Sequence, residues 1–441
     1  MAQLESWEKV YMDHPDGFAA IEPVHSRVGC VGCHGGTDPV VARSENINDL
    51  FTAMMEAHEA DITYTATGTP DRTQVDDHAM LRDPSMLPEL NCNGASCHAD
   101  HVEKAASSLH NNLWGEKHKV ALRAGYPSFE ACPAELKEAY SAECTSCHAS
   151  CGQCHISRPL SVKGGFLDGH RFQRTPDQEN NCTACHGSRV GNDYSGHMEG
   201  NQPDVHQQLG FDCLFCHQEN MHGDGRTDYT SRYEVEGLPT CTRCHSQSAD
   251  RNIYHDTHWQ GSGAEMGLSC NVCHSQPYTS CINCHTGGVW SSDDPQGYAE
   301  FPSFRIGRNS GNWSTHPASE ESYVVVRHVP ISEDSYAPWG WPRLESWAAF
   351  ETWEYASPHN IARITRQTQV AATGPVDASN CWISCHSDRN GPFAEENRGL
   401  FLWESFVDSL GQHVSNTRQT EGAANRNVVV DRGLPDNWLR P

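Results

Sequence analysis

The chain has 441 residues, enough for two or three domains, but only 37% of them are hydrophobic. Its 31 Lys and Arg against 57 Asp and Glu give a formal net charge of −26, which argues against nucleic acid or an anionic membrane surface as a partner. No apolar run is long enough for a transmembrane helix, so we expect no transmembrane segment. With 21 Cys and 27 His, the interior is expected to depend on disulfides, metals or cofactors.

The spacing of the cysteines distinguishes among these possibilities. Eight segments read Cys-x-x-Cys-His, whereas composition predicts about 0.06 by chance. This is the signature of c-type haem attachment, in which two cysteines form thioethers with the haem and the histidine binds its iron. The eight cysteine pairs are Cys30 and Cys33, Cys144 and Cys147, Cys151 and Cys154, Cys182 and Cys185, Cys213 and Cys216, Cys241 and Cys244, Cys270 and Cys273, and Cys281 and Cys284.

Two further segments have longer spacers between the cysteines. Cys92 and Cys97 precede His98, and Cys381 and Cys385 precede His386. A disulfide or a chance match is the alternative for these two. Together the ten motifs predict ten haem c groups with the proximal iron ligands His34, His98, His148, His155, His186, His217, His245, His274, His285 and His386.

Other interpretations of the cysteines differ in what they require. Zinc sites pair two Cys-x-x-Cys segments to obtain four ligands, but they do not require a histidine directly after each segment. The ten motifs leave Cys132 over, and we expect it to be a small buried hydrophobic residue, with a reactive or lipidated thiol as the alternative.

Histidines outside the motifs provide the second iron ligands. Ten of the 27 histidines belong to motifs, so 27 − 10 = 17 remain for at most ten distal positions. The distal candidates, chosen by their position near motifs or in the motif-free stretch, are His25, His58, His110, His170, His206, His222, His255, His258, His328 and His359, with His118 and His197 in reserve. Two histidine ligands close the iron to substrate, which suits electron transfer. We therefore assign no catalytic residue.

The motifs are unevenly distributed along the chain. We expect an N-terminal lobe with two haems in 1–130, a dense central region with seven in 131–290, and a Trp-rich C-terminal lobe with one in 291–441. The predicted fold is mainly short α-helices and irregular loops wrapped around a chain of covalently bound haems, with little β structure and a core made largely of porphyrin. Helices are predicted over 48–59 and 102–121, and the best strand is 323–326.

Three stretches resemble the multihaem c-type cytochromes of metal-reducing and related anaerobic bacteria. They are Cys144–His155, Cys270–His285, and Arg327–Pro330 followed by Pro358–Ile361. The resemblance implies electron transfer in the periplasm or at the cell surface, with other redox proteins or cytochromes as partners; some members stack into filaments. Octahaem oxidoreductases share the motif style, so an enzyme acting on a small sulfur or nitrogen oxyanion at one open haem is the alternative. This chain differs from them in having ten motifs and no Cys-x-x-Cys-Lys site.

The location follows from the same motifs. Haems of this type are attached outside the cytoplasm, so we expect an exported protein. The first ten residues have neither a basic start nor an apolar segment, and the numbering is therefore expected to begin near the mature N-terminus. The N-terminal segment and the polar tail from Phe393 to Pro441 are suited to cross into a neighbouring subunit of a filament. The alternative is that His14 or His25 binds a haem of its own chain and the tail covers that chain's haems.

Overall fold

Short segments of helix joined by irregular chain make up most of the protein. The computed structural model describes residues 23–34, 83–86, 92, 97–105, 107–147, 149–218, 221–226, 229–245, 253–258, 267–279, 304–310, 322–368, 400–402, 405–407, 413–415 and 423–430. Helical segments outnumber strands in these ranges, so the prediction of a mainly helical fold with little β structure is confirmed.

The described α-helices each span eleven residues or fewer. They are Gly29–His34, Ala99–Ala105, Leu109–Asn112, Trp114–Arg123, Ala134–Cys144, Cys151–His155, Thr183–His186, Asn192–Tyr194, Val205–Gln208, Cys213–Cys216, Cys241–Cys244, Ile253–His258 and Cys270–His274. The 3-10 and π turns are His25–Arg27, Pro84–Met86, Thr145–Cys147, Leu160–Val162, Gln178–Cys182, Gly187–Gly191, Arg232–Glu234, Ala337–Trp339, Trp347–Ala349 and Ala423–Asn427. Within the described ranges, no helix is both long and apolar enough to cross a bilayer.

The continuous helix predicted over 102–121 is wrong. Helix Ala99–Ala105 ends, and Ser108 begins a new short helix by accepting a hydrogen bond from Asn111 N at 3.2 Å. Leu113 then adopts a left-handed conformation, with φ of 55°, before helix Trp114–Arg123 starts. A left-handed residue cannot continue an α-helix, so the apolar periodicity runs through three separate helices. The helix predicted over 48–59 lies outside the described residues.

The chain divides into two compact units. The first comprises Met1–Trp114, Pro133–Cys185 and Asn220–Asp228, and the second comprises Gly115–Cys132, His186–Glu219 and Tyr229–Pro441.

In the first unit, helix Ala134–Cys144 leads directly into the third motif. It buries Leu136, Ala139 and Tyr140, a spacing of three and four residues that places all three on one helical face. The helix ends on Cys144, and Thr145 Oγ1 donates a hydrogen bond to Ser141 O at 2.6 Å across the last turn. The buried face therefore fixes where the first cysteine of this motif lies.

In the second unit, an antiparallel three-stranded sheet provides a side-chain core. Its strands β1 (Ile306–Arg308), β2 (Tyr323–His328) and β3 (Trp353–Tyr355) lie in sequence order, and strands β4 (Ser405–Val407) and β5 (His413–Ser415) form a separate pair. The strand predicted over 323–326 is thus confirmed. Ile306 is opposite Val325, and Val326 is opposite Tyr355.

Both faces of β2 are covered. Val324 and Val326 belong to one buried cluster with Trp353 and Tyr355, while Tyr323 and Val325 point the other way into a second cluster. An uninterrupted run of valines is typical of a strand buried on both sides. This part of the chain has a core of side chains, and the core made largely of porphyrin stays a prediction.

Cys132 is buried, as the sequence predicts. It is 4% exposed, and its Sγ lies 3.5 Å from Ser128 O.

Candidate functional site: cysteine motifs and histidine pairs

The first, fourth, sixth, seventh and eighth motifs each lie on one short helix, whereas the third and fifth run from the last residue of one helical segment into the next. The sixth spans Cys213–Cys216, and His217 N donates to Cys213 O at 3.0 Å. The seventh spans Cys241–Cys244, with the equivalent bond from His245 N at 2.8 Å. On one turn, residues at positions i, i+3 and i+4 share a face, so both sulfurs and the imidazole are available to one planar ligand.

In the second motif, too, the histidine amide bonds the carbonyl of the first cysteine. His98 N donates a hydrogen bond to Cys92 O at 3.3 Å, across a segment that also contains Cys97. The carbonyl of the first cysteine therefore accepts from the histidine amide here, as in the sixth and seventh motifs. The other expanded motif, with Cys381, Cys385 and His386, lies outside the described residues.

Hydrogen bonds from outside the motifs hold the fourth motif in place. Ser85 Oγ accepts from Gly152 N at 2.7 Å, and Asn181 Nδ2 donates to Gln153 O at 2.9 Å. A Cβ on Gly152 would lie 2.8 Å from Ser85 Oγ, so this approach needs glycine. Asn181 immediately precedes Cys182, and the bond therefore also joins the fourth motif to the fifth.

Six proximal histidines each lie opposite a histidine from outside the motifs. The ring-centroid distances and the angles between planes are 6.3 Å and 71° for His34 and His170, 6.2 Å and 20° for His98 and His25, 6.0 Å and 12° for His155 and His222, 6.3 Å and 19° for His217 and His359, 6.2 Å and 63° for His245 and His206, and 6.1 Å and 69° for His274 and His255. Each pair lies within one unit of the chain.

These distances match two imidazoles on opposite sides of one metal ion. A first-row metal binds an imidazole nitrogen at about 2.0–2.1 Å, and that nitrogen lies about 1.1 Å from the ring centre. Two ligands in line with the metal therefore place their centroids about 6.3 Å apart. The six pairs, at 6.0–6.3 Å, leave room for one metal ion each.

The orientation of several rings is fixed by their Nδ1 atoms. In four of the pairs, Nδ1 of one histidine bonds an oxygen that can only accept. These bonds run from His155 to Gln173 O at 2.7 Å, from His206 to Asp204 Oδ1 at 2.9 Å, from His274 to Ala362 O at 3.2 Å, and from His359 to Ser357 O at 2.9 Å. Nδ1 must carry the proton in each, so Nε2 has the lone pair that binds a metal.

His98 has two histidine neighbours at a similar distance. His101 lies 6.3 Å from His98 but also 4.8 Å from His222. His101 follows His98 by one helical turn, where side chains are neighbours on the same face rather than opposite each other. His25, on a different segment, is therefore the better distal partner for His98.

Burial keeps the most enclosed imidazoles neutral. It lowers the pKa of His359 to about 4 and that of His328 to about 3. Desolvation by neighbouring groups also lowers the pKa of His110, His222 and His274, of which His110 and His222 keep an exposed surface. Neutral imidazole is the form that binds metal ions.

The other described distal candidates lie close to motifs in the chain fold. The backbone O of His110 accepts from Ala149 N, directly after the third motif, at 2.9 Å. The O of His258 accepts at 2.8 Å from Leu268 N, just before the eighth motif. His328 ends β2, is 1% exposed and donates from Nδ1 to Val329 O at 2.6 Å.

Several predicted site residues cannot be placed. His58, His148, Cys281, Cys284, His285, Cys381, Cys385 and His386 lie outside the described residues, and for Cys30 only the backbone is described. Among the described cysteines, the structure records no disulfide.

One functional residue was missed at the level of sequence. Asp204 is buried and bonds the distal candidate His206. Its position two residues before a histidine is the signal that could have identified it, because a carboxylate at this spacing can reach the following imidazole.

The donor sets in the described ranges contain pairs rather than larger clusters. Among the described residues, no group of three or more His, Cys, Asp or Glu side chains is arranged to hold one metal ion. An iron bound by a porphyrin needs only two further ligands, and the six imidazole pairs fit that requirement.

Comparison with known proteins gave no matching family model, no matching curated protein and no matching solved structure. The residues and their geometry therefore carry the functional assignment.

Proposed function

We propose that this chain is a multihaem c-type cytochrome that transfers electrons through ten covalently attached haems, each bound by two histidines. The observation that carries the proposal is the set of six proximal histidines, each 6.0–6.3 Å from a histidine outside the motifs. Both the motif spacing and the ring separation are those expected around a haem iron.

Two axial histidines favour electron transfer over catalysis. An iron with six ligands has no open position for a substrate, whereas an enzyme keeps one position free. All six described pairs supply both axial ligands. The alternative, an oxidoreductase acting on a small sulfur or nitrogen oxyanion, needs at least one haem without a distal side chain.

The chain's own residues contribute attachment, orientation and an apolar environment. The haem, when bound, supplies an iron that gains or loses one electron. The cysteines hold the macrocycle at two points, and the histidines fix the axial positions. Nδ1 bonds, such as that from His155 to Gln173 O, hold the rings in place, so little rearrangement accompanies a change in iron charge.

The setting of this activity follows from haem attachment and charge. We place the protein outside the cytoplasm, in the periplasm or at the cell surface, with other redox proteins or cytochromes as its electron donors and acceptors. A net charge of −26 favours partners with cationic surfaces. The chain could perform the same function as a single molecule or as the subunit of a filament. Light scattering of the purified protein distinguishes the single chain from the filament.

Covalent haem content tests the proposal. The chain would be produced in a host that attaches haem c, and the intact denatured protein would be weighed by mass spectrometry. We expect ten haems in the natural chain. A double Cys92→Ser, Cys97→Ser variant should contain nine, because it removes both thioether positions of the second motif. A Cys132→Ser variant is the matched control and should retain ten.

Two results would overturn the proposal. A chain without covalent haem would reject it outright. A haem that is high-spin in the oxidised protein and binds cyanide rapidly would support the oxidoreductase instead.

A further inference from the structure

Asp204 differs from the other groups that orient histidines in the described pairs. His155, His274 and His359 donate from Nδ1 to neutral backbone carbonyls. His206 instead donates to the Asp204 carboxylate, at 2.9 Å. Asp204 is 2% exposed, so its charge acts with little screening by solvent.

The same carboxylate joins two segments that carry distal histidines. Asp204 Oδ1 also accepts from His206 N at 2.8 Å, and Oδ2 accepts from Ile361 N at 2.6 Å. Val205 N donates to Ile361 O at 2.8 Å. His206 lies opposite His245 of the seventh motif, and His359, two residues before Ile361, belongs to the pair of the sixth motif.

We propose that Asp204 is a positioning residue that holds the distal histidines of the sixth and seventh haems and lowers the reduction potential of the seventh. The inference rests on the proposed haem-binding function. It assigns one haem a specific place in the electron path, because the haem with a carboxylate behind its axial ligand is the harder of the two to reduce.

Two effects of the carboxylate act in the same direction. A carboxylate that accepts a hydrogen bond from Nδ1 makes the imidazole a more basic ligand. A more basic ligand stabilises ferric iron more than ferrous iron. The buried negative charge also favours the iron state with the greater positive charge. A backbone carbonyl has a dipole but no net charge, so it gives a weaker effect at the other haems.

A purely structural role for Asp204 can be separated from this one. Asp204 also caps helix Val205–Gln208 through its bond to His206 N. Asparagine caps helices as well as aspartate does, and its side-chain oxygen can still accept from the imidazole. Asp204→Asn therefore removes the charge and, because its amide nitrogen cannot accept, the bond from Ile361 N, while its one side-chain oxygen retains the cap and the bond from the imidazole. Asp204→Ala removes the cap and the imidazole bond as well.

A matched control lies nearby in the same unit. Asp212 caps the sixth motif helix by accepting from Phe215 N at 2.7 Å. It resembles Asp204 in charge and capping role, but its recorded side-chain bond goes to a backbone amide. Asp212→Asn thus controls for the loss of one negative charge and one acidic cap close to the same haems.

The test combines a redox titration of the full haem-loaded chain, followed by optical absorption, with electron paramagnetic resonance. Asp204→Asn should raise the equilibrium constant for reduction of one haem about tenfold, which is about 59 mV for a one-electron couple. The other potentials and the haem content should stay as in the natural chain, because the bond from Val205 N to Ile361 O still joins the two segments. Asp204→Ala should in addition give a high-spin signal from a displaced distal ligand, and Asp212→Asn should change no potential.

Other outcomes would overturn the inference. Equal potentials in Asp204→Asn and the natural chain would remove the effect on the seventh haem, and an equal shift in Asp212→Asn would show a general effect of charge. An Asp204→Ala protein with only low-spin haems would remove the positioning role. Failure of the proposed function would be seen separately, as a natural chain without covalent haem.

Discussion

The imidazoles of His155 and His222 lie 6.0 Å apart between centroids, with their planes only 12° from parallel. His155 belongs to the fourth motif, whereas His222 follows the sixth in sequence. His155 Nδ1 is bonded to Gln173 O, so its Nε2 is the nitrogen available to an iron. The two histidines of this pair are thus brought together by folding rather than by proximity in the chain.

The angles between paired rings predict two spectroscopic classes of haem. Three pairs are close to parallel, at 12° to 20°, and three are close to perpendicular, at 63° to 71°. When the two imidazole planes are parallel, both rings overlap the same iron d orbital. Two d orbitals then differ in energy, and the low-spin signal is rhombic. Perpendicular planes leave these orbitals nearly equal in energy and give a single large g value. We expect electron paramagnetic resonance of the oxidised protein to show both kinds of signal.

Single substitutions assign these signals. His222→Ala removes a ligand from a near-parallel pair and should reduce the rhombic signal, whereas His255→Ala should reduce the large-g signal. Cys132→Ser is the control, since Cys132 belongs to no motif and is not a candidate ligand, and should change neither. One uniform class of signal in the natural chain would contradict the ring angles.

The motifs could be predicted from sequence, but the pairing of the histidines could not. Attachment chemistry fixes the spacing of two cysteines and a histidine, and that spacing is visible in the chain. A distal ligand has only to reach the iron from any direction. His255 precedes its partner's motif closely, but His25, which lies just before the first motif, is opposite His98 of the second.

In the fold, too, some features can be predicted from sequence and others depend on contacts made only after folding. The valine run of β2 predicts its strand because β-branched residues favour extended chain. The split of the helix over 102–121 depends on the cap formed by Ser108 and the backbone of Leu113, which apolar periodicity does not reveal. Asp204 was missed for a related reason, since its importance comes from contacts with both His206 and Ile361.

Gly223 is expected to be essential for placing His222. It has a φ of 83°, and a Cβ there would lie 2.7 Å from Lys104 O and 3.0 Å from Ser108 Cα. Gly223→Ala should therefore displace the neighbouring His222 and produce one high-spin haem, detected by optical absorption. It should also lower the free energy of unfolding by more than the strain of a left-handed alanine, which is about 1–3 kcal/mol.

Gly225 provides the control for that substitution. Its φ is 88°, but no atom of the described residues lies within 4 Å of the position of a Cβ. Gly225→Ala should show only the backbone strain and keep every haem low-spin. Equal effects of the two substitutions would mean that the contact with Lys104 does not matter.

Arg123 is expected to stabilise the second unit through a buried charge. Its side chain is 4% exposed, donates to Glu351 O at 2.5 Å, lies 3.5 Å from Glu354 and covers the Trp347 ring at 4.8 Å. Arg123→Met leaves the partly buried Glu354 with fewer cations and should reduce the free energy of unfolding by about 3 kcal/mol, measured by guanidinium titration.

An exposed ion pair gives the comparison for Arg123. Arg171 and Asp168 lie 3.3 Å apart with side chains 59% and 65% exposed. Arg171→Met should change the free energy of unfolding by about 0.5 kcal/mol or less. If the two variants were equally stable, burial of Arg123 would not be important for stability.

Asp193 is expected to make stability depend on pH in the acid range. Its carboxylate is fully buried, accepts from Thr279 N at 3.1 Å and lies 3.3 Å from Arg327. Burial, opposed in part by Arg327, raises the pKa of Asp193 from 3.8 to about 6. The folded chain therefore holds a proton that the unfolded chain releases at lower pH. The stability that this proton contributes is present below about pH 4 and is lost as pH rises through about 6.

Relative to Asp193→Asn, the natural chain should lose at most about 3 kcal/mol of its free energy of unfolding between pH 4 and pH 6. Guanidinium titrations at a series of pH values would measure the difference, with the exposed Asp168→Asn as control. A difference between the natural chain and Asp193→Asn that stays constant from pH 4 to pH 7 would show that Asp193 does not titrate in this range.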